Sequence, residues 1–228
     1  MPQSLCEWRT ISEKPSRGIR NYVERAGQLG YPKLECVYIE KLGSDLAQLV
    51  CAPAARVEVG KVLGLTGPAA ISHVHSLRSQ PLRTDDEPET VYSSAISKAL
   101  KAASGLLPFL AWIGAYDHEK DSNFVVDDLG NDLRRVVAID FEDAFPWTKD
   151  EALEEIVTPP KPPGLSANHD RRIVNKTLSK IEMLTLAKIE ACCFSSAMSR
   201  DLAQNIARVL HVRQHLVRDR IKELGWVD

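Results

Sequence analysis

Between Trp112 and Phe145 the chain carries an acid, an amide and a second acid in a setting that limits what it can fold into. Trp112-Ile113-Gly114-Ala115-Tyr116 leads into Asp117, Asn123 opens the apolar run Phe124-Val125-Val126, and Val136-Val137-Ala138-Ile139 ends in Asp140. Both acids stand at the ends of apolar segments. Phosphoryl transfer needs such a set: a carboxylate to receive a hydroxyl proton, then an amide and a second carboxylate to hold Mg²⁺ on nucleotide phosphates. Ordinary loop acids are the plain alternative, and the placement of the three argues against it.

Asp127-Asp128-Leu129-Gly130-Asn131-Asp132 lies between the amide and the second acid. Asp and Asn beside Gly favour a tight turn, so the spacing predicts two strands, 124–126 and 135–139, joined as a hairpin. That hairpin would carry Asn123 and Asp140 to neighbouring positions, as a shared metal site requires. The acids of the turn lack the spacing and terminal Glu of a calcium loop. Asp143 reads as an exposed loop acid. His118 follows Asp117 with no second His or Cys at ligand spacing, which argues against its being a metal ligand.

Trp112-Ile113-Gly114, Asp117, Asn123, Ile139-Asp140 and Phe145 fall in the order of a pattern shared by HipA-like kinases and, more distantly, the phosphatidylinositol 3/4-kinase superfamily, and residues 105 to 147 resemble those families. The resemblance implies an α+β, two-lobed protein-kinase-like fold, with a small mixed N-lobe over about 1–85 and a mainly helical C-lobe over 86–228. It implies a serine/threonine kinase using ATP and Mg²⁺, with Asp117 as catalytic acid, Asn123 and Asp140 as metal ligands, and His118 as a residue that shapes the loop. A protein acceptor follows from the same resemblance, as in bacterial toxin-like kinases, and an antitoxin-like partner would fit it. A lipid head group is the weaker alternative, since no membrane-binding element is visible. One departure stands out: Asn123 is six residues after Asp117, one more than those families usually place. The loop must absorb the extra residue, or Asp121 takes part.

The N-terminal part reads as a small α/β lobe. Leu34 to Lys41 is rich in β-formers and is the best strand candidate, which makes Lys41 the candidate phosphate-facing lysine, with a solvated strand-end lysine as the alternative. Ala55, Val59, Val62 and Leu63 suggest a helix over about 54–65. Glu58 on that helix reads as a surface residue rather than the lysine's partner. Gly18, Gly27 and Gly30 are scattered and form no glycine-rich loop, so a reduced nucleotide lobe, and hence a pseudokinase, stays open. Ser79 to Pro88 reads as a linker, and 90–107 as helical. Thr158 to Gly164, rich in proline, reads as a stiff connector or a substrate loop.

Beyond Arg171 apolar residues recur at helical spacing to Gly225. Residues 202–224 also support a rival function. They look like a helix-turn-helix, with Ala207 and Val217 at its small and apolar positions and Arg213, Gln214, Arg218 and Arg220 placed to reach DNA. His211 at the turn position, Arg220 at an apolar one, and the acids Asp201, Asp219 and Glu223 speak against it, so nucleic acid is not favoured. Composition is that of a globular domain, 44% hydrophobic and 26% charged, and the net charge of −2 gives no general attraction to nucleic acid or anionic membranes. No run is long enough for a membrane helix. The five cysteines are odd in number and form no Cys-x-x-Cys pair, so neither a disulfide framework nor structural zinc is expected, and the chain reads as cytoplasmic. Cys192-Cys193 reads as helix core.

Overall fold

The computed structural model describes residues 7–13, 21–77, 79–82, 92–148, 157–196 and 198–228. Strands β1 (Arg9–Thr10), β2 (Val23–Arg25), β3 (Gln28–Lys33), β4 (Val57–Gly60) and β5 (Ala69–Val74) form an antiparallel sheet in the order β1-β2-β3-β5-β4. Ala26 and Gly27 both take positive φ, as a two-residue hairpin turn between right-twisted strands demands. Helix α1 (Val37–Val50) connects β3 to β4.

Two expectations fail here. The strand over Leu34 to Lys41 is replaced by the entry into α1. Its Val, Tyr and Ile suit a strand locally, but the apolar pattern runs on through Leu42, Leu46, Ala47 and Val50, which are buried on one broad face, and burial of that face decides the element. The helix expected over 54–65 is instead β4, whose Val57 to Gly60 pair with Ser72 to Ala69 of β5.

Helix α2 (Ser94–Ala102), capped by the Ser93 side chain, leads to α3 (Leu106–Ile113), all eight residues of which are buried. Strands β6 (Gln80–Pro81), β7 (Phe124–Asp128) and β8 (Arg134–Ala138) form a second antiparallel sheet. The β7–β8 hairpin is the expected one, and Gly130, Asn131 and Asp132 supply positive φ at its turn. Residues 83–91, where the linker continues and the two lobes were expected to divide, lie outside the described residues. Helices α4 (Pro163–Ala167), α5 (Arg171–Glu182), α6 (Leu186–Ser195), α7 (Arg200–Arg213) and α8 (Val217–Glu223) complete the chain. Among the described residues no single helix is long and apolar enough to cross a membrane.

One main core unites Leu42, Leu46 and Val50 of α1 with α3, β8 and the C-terminal helices. A smaller cluster of Trp8, Val23, Val62, Ala69 and Ile71 lies within the first sheet. A backbone join links the two parts: Ala55 N–H donates to Ala138 O at 2.9 Å and Ala138 N–H to Pro53 O at 3.1 Å.

Of the four residues placed to reach DNA, Arg213 and Gln214 are buried in the fold and Arg218 is ion-paired, while Arg220 is exposed and pairs with Glu223 in its own helix. Arg213 is fully buried, donating to Trp112 O at 2.8 Å and Ala111 O at 2.7 Å, and it lies over the Trp147 ring. Gln214 is buried against the carbonyls of Glu182 and Leu184, and Arg218 forks onto Glu182. His211 lies within α7, not in a turn.

Candidate active site

Helix α3 ends at Gly114, whose φ of 67° is left-handed; a Cβ there would stand 2.7 Å from Trp147 and 2.9 Å from Pro146. Only glycine fits, and the chain turns at once into two short 3-10 turns, Tyr116–Glu119 and Asp121–Asn123. Asp117 accepts from Asn123 Nδ2 at 2.7 Å and from Lys120 Nζ at 2.7 Å, while Asn123 Nδ2 also reaches Asp117 O at 3.0 Å. Partial burial raises the proton affinity of Asp117, but the bonds from Lys120 and Asn123 outweigh it and hold the carboxyl below its usual range. The second turn absorbs the extra residue of the loop, with the Asp121 carboxylate turned inward onto Tyr92 and Gly164.

His118 is buried between Phe124 and Phe141, stacked on the latter at 5.4 Å. Its Nε2–H donates to Ile139 O at 2.8 Å, the residue before Asp140. It is thus the loop-shaping histidine anticipated from sequence, tying the Asp117 turn to the strand that delivers the second acid.

Strand β8 pairs Ala138 with Phe124, and Ile139 N–H donates to Asn123 O at 3.0 Å, so Asn123 and Asp140 emerge at one end of the hairpin. Asp140 takes φ 64°, which Asp tolerates better than most residues and which bends the chain out of the strand line. Lys33, the last residue of β3, reaches across to Asp140, and its Nζ also meets Glu40 Oε1 at 2.8 Å and Glu142 Oε2 at 3.3 Å. Glu40 projects from the first turn of α1; its side chain is 1% exposed and its other oxygen accepts the Phe141 N–H at 3.1 Å. Burial works against charge on Lys33, but Glu40 and Asp140 more than offset it and hold the ammonium protonated. Helix α1 can approach this closely because residue 43 is glycine, where a Cβ would stand 2.5 Å from the Phe141 ring.

Of the four residues singled out from sequence, Asp117, Asn123 and Asp140 gather at the hairpin's end. Lys41 does not join them: it lies in α1 and is ion-paired with Asp45 one turn on. Lys33 occupies the place that Lys41 was expected to fill. Glu58 is neither a free surface acid nor the lysine's partner; it binds Arg25, the Trp8 indole and His73. Sequence reading missed Lys33 and Glu40, and the signal that could have found them is an acid directly after the run Cys36-Val37-Tyr38-Ile39, seven residues beyond a lysine that ends a strand.

The donor set fits a hard divalent cation. Glu40, Asp140 and Glu142 carry carboxylate oxygens within 4.8 Å of one another, drawn together by the Lys33 ammonium. Both Glu40 oxygens are taken, by Lys33 and the Phe141 N–H, so Asp140 and Glu142 are the carboxylates that could turn to a cation, together with the amide oxygen of Asn123, whose Nδ2 holds Asp117. Oxygen ligands of this kind suit Mg²⁺.

A five-stranded sheet with a lysine on its third strand, a helix whose glutamate grips that lysine, and a hairpin between amide and acid define a kinase-like fold. The solved structure of the Helicobacter pylori proinflammatory kinase CtkA is similar throughout: TM-score 0.59 at 10% identity, covering 96% of this chain and 95% of that one. No protein-family model matches the chain, and no curated protein does.

Proposed function

We propose that this chain is an ATP- and Mg²⁺-dependent kinase of the HipA-like type, transferring phosphate to a serine or threonine hydroxyl on a protein. The observation that carries the reading is the convergence of Lys33, Glu40 and Asp140, drawn from a strand, a helix and a hairpin end, beside the bonded pair Asp117 and Asn123. Kinases require these parts in these places. Lys33, fixed in direction by Glu40, would turn its ammonium from Asp140 and Glu142 onto the nucleotide phosphates, freeing those carboxylates. Asp140 and the Asn123 Oδ1 would hold the cation, which when bound neutralises phosphate charge. Asp117, kept ionised by Lys120 and Asn123, orients the acceptor hydroxyl and takes its proton. A loose phosphoryl-transfer transition state asks for placement more than base strength, so a low pKa suits this role.

Calorimetric titration of MgATP into the wild type and Asp140→Asn tests the reading. Metal-dependent binding in the wild type, lost in the variant, is expected; absence of binding by a folded wild type would mark a degenerate kinase fold.

A further inference from the structure

Asp121 has no part in the roles above, yet it is 5% exposed in the turn between Lys120 and Asn123. Its Oδ2 accepts from Tyr92 Oη at 2.6 Å and from the Gly164 N–H at 3.2 Å, and Oδ1 lies 3.3 Å from the same N–H. Burying a carboxylate is costly unless its lone pairs are met, and here one buried acid collects donors from two remote segments. Residue 164 must be glycine for this to close, since a Cβ would stand 2.6 Å from Tyr92 Oη. The three groups make a clasp.

What the clasp fastens is the end of the proline-rich segment 157–164. Val157, Pro159, Pro160 and Pro162 are buried while Thr158 and Lys161 are exposed, so this stiff segment lies with one face against the body and the other open. Its end is pinned to the turn that carries Asp117 and Asn123.

We propose that Asp121 is a positioning residue: by clasping Gly164 and Tyr92 it anchors the end of residues 157–164 to the loop that carries Asp117, and this anchored segment is the wall that sets where a protein acceptor lies relative to the Asp117 carboxylate. The inference rests on the kinase reading and deepens it. A displaced wall leaves the nucleotide groups Lys33, Glu40 and Asp140 untouched, so acceptor use should suffer and MgATP binding should not.

The test compares wild type, Asp121→Ala, Asp121→Asn and Tyr92→Phe by hydrogen exchange over 158–165, MgATP calorimetry, and phosphate transfer to dephosphorylated casein. In Asp121→Ala, Gly164 exchange should rise at least about tenfold. MgATP affinity should stay within about twofold while KM for casein rises about tenfold, more than kcat changes. Asp121→Asn, which keeps an acceptor oxygen, should recover most of both effects. Should the alanine variant fail to fold, Tyr92→Phe carries the same comparison with one bond removed. Unchanged exchange at Gly164, or nucleotide affinity falling in step with acceptor use, would overturn the proposal. A wild type that binds no MgATP overturns the kinase reading itself; one that binds it but leaves casein unlabelled overturns a protein acceptor of this kind.

Discussion

Lys33 is the residue on which the nucleotide half of the site turns. Its Nζ meets three carboxylates, one of them the buried Glu40. Removing one partner of a buried ion pair leaves an uncompensated charge, so Lys33→Met should cost about 3 kcal/mol in urea unfolding, and adding Glu40→Gln should return part of that loss. MgATP affinity should fall more than about tenfold in Lys33→Met, while Lys41→Met should stay within about twofold. Calorimetry on the two variants separates the lysines. His118 offers a second prediction. Burial pushes its pKa down to about 4, and the ring is neutral in the fold. Above the unfolded value near 6.5 both states are neutral and its contribution is whole; between there and about 4 the unfolded chain takes a proton that the folded ring refuses, so stability falls as pH drops. The loss is on the order of 3 kcal/mol and levels off below the folded pKa. His118→Gln should remove that part of the slope when unfolding curves at about pH 7.5 and 4.5 are compared.

Among the elements, α1 is the most finely fitted. Gly43→Ala would press a methyl group into the Phe141 ring and push the helix, with Glu40, away from Asp140. Overpacking of this kind costs about 1–3 kcal/mol, or roughly 3–10 °C in Tm for a chain of this size. Thermal melting with MgATP calorimetry should show both stability and nucleotide affinity reduced. This helix also shows where sequence reading stops. The β7–β8 hairpin and its flanking Asn123 and Asp140 were legible because Gly130, Asn131 and Asp132 set a turn locally and the apolar runs on either side pair across it. Lys33 and Glu40 were not, because Cys36 to Ile39 favour a strand in isolation and only burial of Leu42, Leu46 and Val50 against the main core makes them a helix. With the strand misplaced by one element, the lysine at its end was misplaced too. Arg213 was misread for a related reason: a sequence does not distinguish an Arg that faces solvent, as Arg220 does, from one that is swallowed by the core.

At the scale of the whole molecule the C-terminal helices act as the floor of the site. Arg213 holds the last carbonyls of α3, Trp112 Nε1 donates to Leu210 O at 2.8 Å, and Gly114 begins the turn that carries Asp117 directly after. Arg213→Met should therefore destabilise the protein by about 2–4 kcal/mol, since it strands buried carbonyls at the end of α3. Chemical denaturation reads the loss, and duplex DNA titrations on wild type and variant should show no salt-dependent binding for the substitution to abolish.

The backbone join at Ala138 has a further consequence. It lies two residues before Asp140 and bonds β8 to residues 53–55, while α1 shares its core with the helical body. A clamshell opening about this seam would tear both hydrogen bonds and split a continuous core. The lead into β4 is thus tied to the helical body at the very strand that delivers Asp140, and the first sheet cannot swing away without taking that strand with it.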